Sequence, residues 1–120
     1  MKCCPKDETI KKDWVEKLES ESSNVSDDTV IEISNFCKVF SSPLRLKIAL
    51  LLNNGDLCVS EIVYILKEKQ NLISHNLSIM KKYRVVSSYN QSKYKYYRIE
   101  RAASSFLGNC IKLQTESIPT

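Results

Sequence analysis

The chain has 120 residues, of which 42% are hydrophobic and 27% charged, and this fits one globular domain with or without a tail. Two Gly and three Pro are too few for a turn-rich all-β protein, and no apolar run approaches the roughly 20 residues of a membrane-spanning helix. The net charge of +4 combines an acidic start, with five Lys and nine Asp or Glu in residues 1–32, and a basic block, with seven Lys or Arg and one Glu in residues 81–101.

The first part of the chain changes character near residue 27. Residues 1–26 are polar and weakly patterned, which predicts a partly flexible N-terminal arm with one short amphipathic turn around Trp14. From residue 27, apolar side chains recur at steps of three and four, which predicts a first helix that runs to Phe40. Ser42 can cap a second helix with Pro43 in its first turn, and Gly55 is placed to end it in a left-handed conformation.

The middle of the chain predicts a helix-turn-helix. Leu57-Cys58-Val59 is a short extended piece, and Ser60 can cap a third helix. A fourth helix is predicted over about residues 70–83, because its apolar residues share one face. Its other face carries short hydrogen-bonding groups followed by two lysines.

In the last part of the chain the spacing of the apolar residues changes from the three- and four-residue steps of a helix to the two-residue alternation of a β-strand. Residues 85–89 and 94–99 are rich in β-formers and predict a hairpin with a four-residue loop at residues 90–93. A last helix is predicted over about residues 102–113, followed by a loose tail at residues 114–120.

This order, helix-helix-(short strand)-helix-helix-β-hairpin-helix, predicts a mainly α winged helix-turn-helix domain over residues 27–113. The polar face of the fourth helix suits the major groove, and the basic, tyrosine-rich hairpin suits the neighbouring phosphates. Double-stranded DNA is therefore the predicted partner. The predicted DNA contacts are Gln70, Asn71, Ser74, His75, Ser78, Lys81 and Lys82 on the fourth helix and Gln91, Lys93 and Lys95 on the hairpin.

Three segments stand out beside the wing: Phe40-Ser-Ser-Pro-Leu-Arg-Leu-Lys-Ile, Asp56-Leu-Cys-Val-Ser-Glu-Ile and Ile73-Ser-His-Asn-Leu. In combination they resemble the arsenical-resistance repressor family (ArsR/SmtB), over about residues 29–113. The resemblance implies a homodimeric winged-helix repressor that leaves DNA when a metal ion or another inducer binds. It also implies a dimer interface between the first and last helices, for which we expect Val30, Ile33, Phe36, Cys37, Phe106, Cys110 and Leu113.

Two positions depart from the family pattern. The family usually has a Gly in the turn before the reading helix, and here that stretch is Leu66-Lys-Glu-Lys-Gln. The usual pair of His after Ser74 is His75 followed by Asn76. The second change alters a polar contact and keeps the outline of the motif.

The cysteines are candidates for the inducer site. Residues 1–12 contain no apolar segment typical of a signal peptide, so we expect a cytoplasmic protein whose thiols stay reduced. Five cysteines are an odd number, which excludes a complete internal disulfide framework. One class of site in the family uses Asp, two His and Glu on the last helix, and it is absent because the single His, His75, lies in the fourth helix.

The predicted inducer is a soft metal or metalloid ion (Cd, Pb, As or Zn) bound by thiolates, and no cofactor is needed for DNA binding. Cys58-Val59-Ser60 matches the first thiol of the family's Cys-Val-Cys sensor motif, and Cys3 and Cys4 add two sulfurs from the arm. The alternative is that Cys58 is a small buried side chain and the Cys3-Cys4 pair is incidental.

Cys37 and Cys110 leave two interpretations open. Both lie on apolar faces of the first and last helices, which is typical of small buried hydrophobic residues. They are also the candidate redox pair of a thiol- or sulfide-responsive repressor. A hypothesis of another class is a winged-helix protein-interaction module that does not read DNA sequence. We do not expect an enzyme, because no second His, carboxylate pair or Gly-rich phosphate loop accompanies a nucleophile.

Overall fold

The computed structural model describes residues 6–117, and the chain divides into two compact units, Met1–Ser34 and Asn35–Thr120. The first unit contains helix α1 (Glu8–Glu21), a 3₁₀ turn (Ser22–Val25) and the first part of helix α2 (Asp27–Phe40). Where the sequence predicts one short amphipathic turn, α1 has 14 residues. Asp7 caps this helix, because its carboxylate accepts backbone hydrogen bonds from Thr9 and Ile10 at 2.9 and 3.3 Å.

The second unit confirms the predicted order of elements. A three-stranded antiparallel sheet, in the order β1-β3-β2, packs with the helices, and the fold is mainly α as expected. No helix within residues 6–117 is long and apolar enough to cross a membrane. The elements after α2 are α3 (Pro43–Asn54), β1 (Leu57–Cys58), α4 (Val59–Leu66), α5 (Gln70–Lys82), β2 (Val86–Gln91), β3 (Tyr94–Ile99) and α6 (Arg101–Ser117).

Local signals in the sequence fix most of the helix ends. The Ser42 hydroxyl accepts the Arg45 backbone N–H at 3.4 Å, with Pro43 in the first turn, as predicted for α3. Gly55 ends α3, but the predicted left-handed conformation is wrong, since its φ of 162° is extended backbone. At the end of α4, Lys67 takes the left-handed conformation with φ 56°, which a glycine would adopt at no steric cost.

The hairpin turn is shorter than the sequence predicts. Asn90 pairs with Lys95 and Gln91 pairs with Tyr94, so β2 continues two residues farther than expected. The predicted four-residue loop is therefore wrong, and the turn consists of residues 92 and 93. Ser92 makes this tight connection with a left-handed φ of 56°, a conformation that Ser adopts less readily than Gly or Asn.

The core holds α5 in place. It consists of one face of α5 packed with residues from α2, α3, α4 and α6, with Val85 and with the start of β2, and several of its side chains are fully buried. An aromatic cluster adjoins it, in which the ring of Phe106 on α6 lies 5.4 Å from Phe36 and 5.9 Å from Phe40 on α2. The fully buried core side chains include Val39, Ile48, Ile62, Ile73, Leu77, Met80 and Val85.

Candidate nucleic-acid interface

Helix α5 presents a polar surface because its apolar residues are committed to the core. Ile73, Leu77 and Met80 are fully buried and Asn76 is 6% exposed, so the polar surface lies on the opposite side of the helix. Ser74 is half-buried, and the Ser78 hydroxyl donates to its carbonyl at 3.0 Å. The other predicted contacts on this helix are exposed, namely Gln70, Asn71, His75, Ser78, Lys81 and Lys82.

The wing joins this surface through a direct hydrogen bond. The Lys81 ammonium donates to the Ser88 hydroxyl of β2 over 2.8 Å, so the end of α5 and the hairpin are held together. The predicted wing residues Gln91, Lys93 and Lys95 are all exposed. The structure therefore brings the predicted helix and hairpin residues to connected elements, with short polar groups on α5 and cations at its end and on the wing.

The tyrosines of the wing are divided between the two faces of the sheet. Tyr97 packs against the core, with the Lys95 ammonium 5.6 Å from its ring centre. Tyr89 and Tyr96 form a cross-strand pair whose rings stack with centres 5.9 Å apart. The Arg98 guanidinium lies 4.4 Å from the ring centre of Tyr89, so a cation also lies on this aromatic pair.

Cys58 is built into the start of α4. Its side chain is 8% exposed, and its Sγ lies 3.2 Å from the Ser60 hydroxyl. The Cys58 backbone N–H donates to the Glu61 carboxylate at 3.0 Å, and this hydrogen bond, followed by one from the Cys58 side chain, lowers the pKa of Glu61. The predicted partners Cys3 and Cys4 lie outside the described residues.

Residues 6–117 contain no group of three or more His, Cys, Asp or Glu side chains arranged to hold a metal ion. A thiolate site at Cys58 would thus depend on the two arm cysteines. Cys37 and Cys110 differ from Cys58, because both thiols are exposed on α2 and α6. Within the single chain they are therefore not small buried side chains, and their burial against a second copy stays a prediction.

The residues expected at a dimer interface fall into two groups. Val30, Ile33 and Leu113 are 50, 48 and 65% exposed, so they are apolar surface that a partner could cover. Phe36 is 6% exposed and Phe106 is half-buried, because the two rings pack together within the chain. Much of the aromatic surface predicted for the partner is thus used inside the protomer.

Arg45 was not predicted as a site residue, and its guanidinium joins three helices. Its guanidinium donates to the Asn76 side-chain oxygen of α5 at 3.2 Å and to the Val39 carbonyl of α2 at 2.9 Å. Arg45 lies within the segment that carries the family resemblance, directly after the helix start at Ser42-Pro43. An arginine at the third position of a helix, beside an apolar stripe, was the available signal.

Comparison with known proteins gives a consistent result. Residues 42–88 match the family described as "Bacterial regulatory protein, arsR family". The homodimeric winged helix-turn-helix DNA-binding domain (fragment 1–100) of Mb0332 from Mycobacterium bovis, a possible ArsR-family transcriptional regulator, is 22% identical with a TM-score of 0.69, covering 77% of this chain and 89% of that chain. No curated protein sequence matches the chain.

Two further solved structures are similar. The transcriptional repressor BigR from Xylella fastidiosa is 24% identical with a TM-score of 0.62, covering 88% of this chain and 97% of that chain. The transcriptional repressor PagR of Bacillus anthracis is 25% identical with a TM-score of 0.63, covering 71% of this chain and 99% of that chain. The predicted family resemblance and fold are confirmed, and both match transcriptional regulators, which are not enzymes.

Proposed function

We propose that this chain, whose residues 42–88 match the arsR family of bacterial regulatory proteins, is a homodimeric, sequence-specific repressor that binds double-stranded DNA in the cytoplasm. The observation that carries the proposal is the Lys81–Ser88 hydrogen bond of 2.8 Å between α5 and β2. Because of this bond, the polar face of α5 and the cationic hairpin belong to one surface. The first can meet base edges in the major groove while the second contacts phosphates beside it.

The dimer is proposed from the exposed apolar residues of the terminal helices. Leu113 and Ile111 on α6 are 65 and 44% exposed. Val30 and Ile33 on α2 are 50 and 48% exposed. A second copy of the chain that covered them would give a two-fold symmetric dimer, and helix-turn-helix dimers read half-sites about 34–36 Å apart. The Mb0332 domain, which is described as homodimeric, supports this arrangement.

The test is selection of a duplex from a random library, followed by titration with a scrambled duplex of the same composition as control. We expect a two-fold symmetric site whose half-sites lie about one helical turn apart, and an affinity at least ~10³-fold above that for the scrambled duplex. Equal affinity for both duplexes at the same salt concentration would instead support the protein-interaction module.

A soft metal or metalloid is the first proposed inducer, with Cys3, Cys4 and Cys58 as its thiolate ligands. What supports it is the place of Cys58, which is the residue directly before α4 and the start of the Cys58-Val59-Ser60 segment. Cys58 also lies one strand from the wing, since it pairs with Tyr96 of β3. An ion that turned this thiol outward would disturb the start of α4 and, through it, the packing of the helix-turn-helix.

Thiol oxidation is the second candidate trigger, and the exposure of both Cys37 and Cys110 favours it. Two thiols that form one disulfide release two protons and two electrons, which reduce one molecule of hydrogen peroxide to two of water. Both cysteines lie on the helices proposed to meet at the dimer interface. Their oxidation would therefore change how α2 and α6 pack, and with it the separation of the two reading helices.

A further inference from the structure

The end of α2 is tied to α3 by a single side chain. The Arg45 guanidinium donates from Nε to the Val39 carbonyl at 2.9 Å and from Nη2 to the Lys38 carbonyl at 3.4 Å. Both carbonyls belong to the last turn of α2, where backbone oxygens lack partners within the helix. A cation at this helix end is also favoured by the helix dipole. Arg45 thus caps α2 from outside the helix.

The same guanidinium reaches the reading helix. Its Nη1 donates to the Oδ1 of Asn76 at 3.2 Å, although 31 residues separate them in the chain. Asn76 is 6% exposed, and its Nδ2 donates to the Leu72 carbonyl, one turn earlier in α5, at 2.9 Å. The orientation of this amide is determined, because an arginine can only donate and a carbonyl can only accept.

A second contact joins the end of α2 to the end of α5. The Lys38 ammonium lies 5.1 Å from the ring centre of Tyr83, which follows the last residue of α5. A hydrogen bond with Lys38, together with the charge of that lysine, lowers the pKa of Tyr83. The last turn of α2 is therefore linked to α5 at two places. Arg45 of α3 links it to Asn76 in the middle of α5, and Lys38 links it to Tyr83 at the end of α5.

We propose that Arg45 is a positioning residue for DNA reading, which sets the rotation of α5 relative to α2 through its hydrogen bonds to Asn76, Val39 and Lys38. Asn76 faces inward next to His75, which is exposed on the polar face. A rotation of α5 that broke the Arg45–Asn76 bond would therefore move His75 and its neighbours relative to the base edges. This proposal deepens the proposed function and rests on it.

The geometry requires an arginine. Three acceptors on two helices are satisfied by one planar guanidinium, which presents its donors in a fixed fork. A lysine keeps the charge but places all its donors on a single nitrogen, and cannot hold the same three acceptors in one plane. Arg45→Lys therefore keeps the positive charge but removes the fixed geometry of the three hydrogen bonds.

The experiment measures Arg45→Lys and Asn76→Leu singly and together in the full-length chain, with Arg101→Lys as the control. Arg101 is exposed at the start of α6, so the control makes the same exchange at a position outside the network. The readouts are the affinities for the selected duplex and for its scrambled counterpart at one salt concentration. Sedimentation and a thermal melt report the dimer and the fold of each variant.

Each single variant should lose about 10-fold or more in affinity for the selected duplex, the size expected for losing a hydrogen bond to a charged group. The affinity for the scrambled duplex, which depends on phosphate contacts, should stay within about 2-fold. The double variant should lose no more than the worse single variant, because both changes remove the same contact. Arg101→Lys should bind as the wild type does.

Two outcomes overturn the role of Arg45. In the first, both duplexes weaken together or the variants lose their fold, which means that the residue is only structural. In the second, the single variants keep the wild-type preference for the selected duplex. A wild-type chain that shows no preference contradicts the proposed function itself, and this is seen before any variant is measured.

Discussion

The phenol of Tyr89 on β2 donates a hydrogen bond of 2.6 Å to the carboxylate of Asp56, which lies just before β1. Since the strand order is β1-β3-β2, this bond crosses the middle strand, and Tyr89 reaches over it while stacking on Tyr96. The outer strand of the wing is thereby fastened to the base of the sheet. The contact gives the wing a fixed direction in addition to its ladder of backbone hydrogen bonds.

An alkaline titration should show the Tyr89–Asp56 bond. The hydrogen bond to Asp56, with smaller effects of burial and of the Asp56 charge, raises the pKa of Tyr89 above its usual 10.0. The bond therefore contributes stability that is fully present below pH 10.0 and is lost as pH rises through the raised pKa. Phenolate absorbance should contain a late-ionising component that Tyr89→Phe removes. The matched variant Tyr83→Phe should leave that component and remove an early one, since the pKa of Tyr83 is lowered.

The wing lysines should act on DNA through charge. Lys93→Gln and Lys95→Gln should each lower the affinity for every duplex, and together they should reduce the slope of log affinity against log salt by about 1 for each lost phosphate contact. Fluorescence anisotropy across a salt series measures this slope. Lys12→Gln on α1 removes the same charge from another part of the chain and is the control. If the double variant keeps the wild-type slope, the wing lysines do not contact DNA phosphates.

Leu113→Glu should separate the proposed dimer without unfolding the protomer. Leu113 is 65% exposed, so a carboxylate there loses little within the chain but becomes buried against a second copy. Sedimentation should show monomers, and affinity for the symmetric duplex should fall at least about 10-fold because two half-sites no longer bind together. Gly108→Glu is the control, since it lies about 140° around α6 from Leu113 with open space beside it. A dimer that survives Leu113→Glu would place the interface elsewhere.

Phe106 should behave differently from Leu113, because its ring packs on Phe36 and Phe40 of its own chain. Phe106→Ala should lower the free energy of unfolding by about 2 kcal/mol, less than the roughly 3–5 kcal/mol of a fully buried Phe, since Phe106 is half-buried. Urea denaturation at a concentration where both proteins are in one oligomeric state measures this difference. A variant of unchanged stability would show that the aromatic cluster does not support the fold.

Lys67→Gly should stabilise the helix-turn-helix by about 0.5 kcal/mol. Lys67 has a left-handed φ of 56°, which costs an L-residue about 1 kcal/mol, and part of the gain is offset by losing its cation–π contact with Tyr64. Lys47→Gly is the control, because Lys47 is exposed in the interior of α3, where a glycine costs about 1 kcal/mol. Thermal melts of the two variants should move in opposite directions. A lower Tm for Lys67→Gly would show that the lysine side chain outweighs the backbone.

Local chemistry explains which parts of the fold the sequence could predict. Ser42-Pro43 marks the start of α3, and periodicity alone identifies α5 with its buried and polar faces, because both signals lie within a few neighbouring residues. The length of the hairpin turn was predicted wrongly, because Ser92 adopts a left-handed conformation that is uncommon for serine. In the same way, nothing near Gly55 distinguishes an extended helix end from a left-handed one.

The contacts that define the site could not be predicted, since they join distant parts of the chain. Arg45 and Asn76 are 31 residues apart, and Asp56 and Tyr89 are 33 apart, so only the packed core decides that they meet. The α5 residues proposed to contact bases were found because a polar helix face needs no long-range information. The exposure of Cys37 could not be predicted, because an apolar helix face has the same spacing in the sequence whether it packs in a core or lies uncovered at the surface.

The cysteines should separate the two proposed triggers. Cys58 is nearly buried beside Ser60, whereas Cys37 and Cys110 are exposed, so the variants Cys58→Ser, Cys37→Ser and Cys110→Ser test different chemistries. Each should bind the selected duplex about as well as the wild type. Cadmium, lead or arsenite should release DNA from Cys37→Ser and Cys110→Ser but not from Cys58→Ser, and deletion of residues 1–5 should weaken that response.

Peroxide or polysulfide should give the reverse pattern, with DNA released from Cys58→Ser and retained by Cys37→Ser and Cys110→Ser. A coupling of 1–3 kcal/mol, typical of allosteric proteins, corresponds to a roughly 5- to 150-fold loss of DNA affinity on induction. Sulfur-to-metal absorbance and DNA release are followed in the same titration, so that binding without release is recognised. If Cys58→Ser still responds to all three metals while Cys110→Ser does not, the thiolate site at Cys58 is wrong and the thiols of α2 and α6 form the sensor.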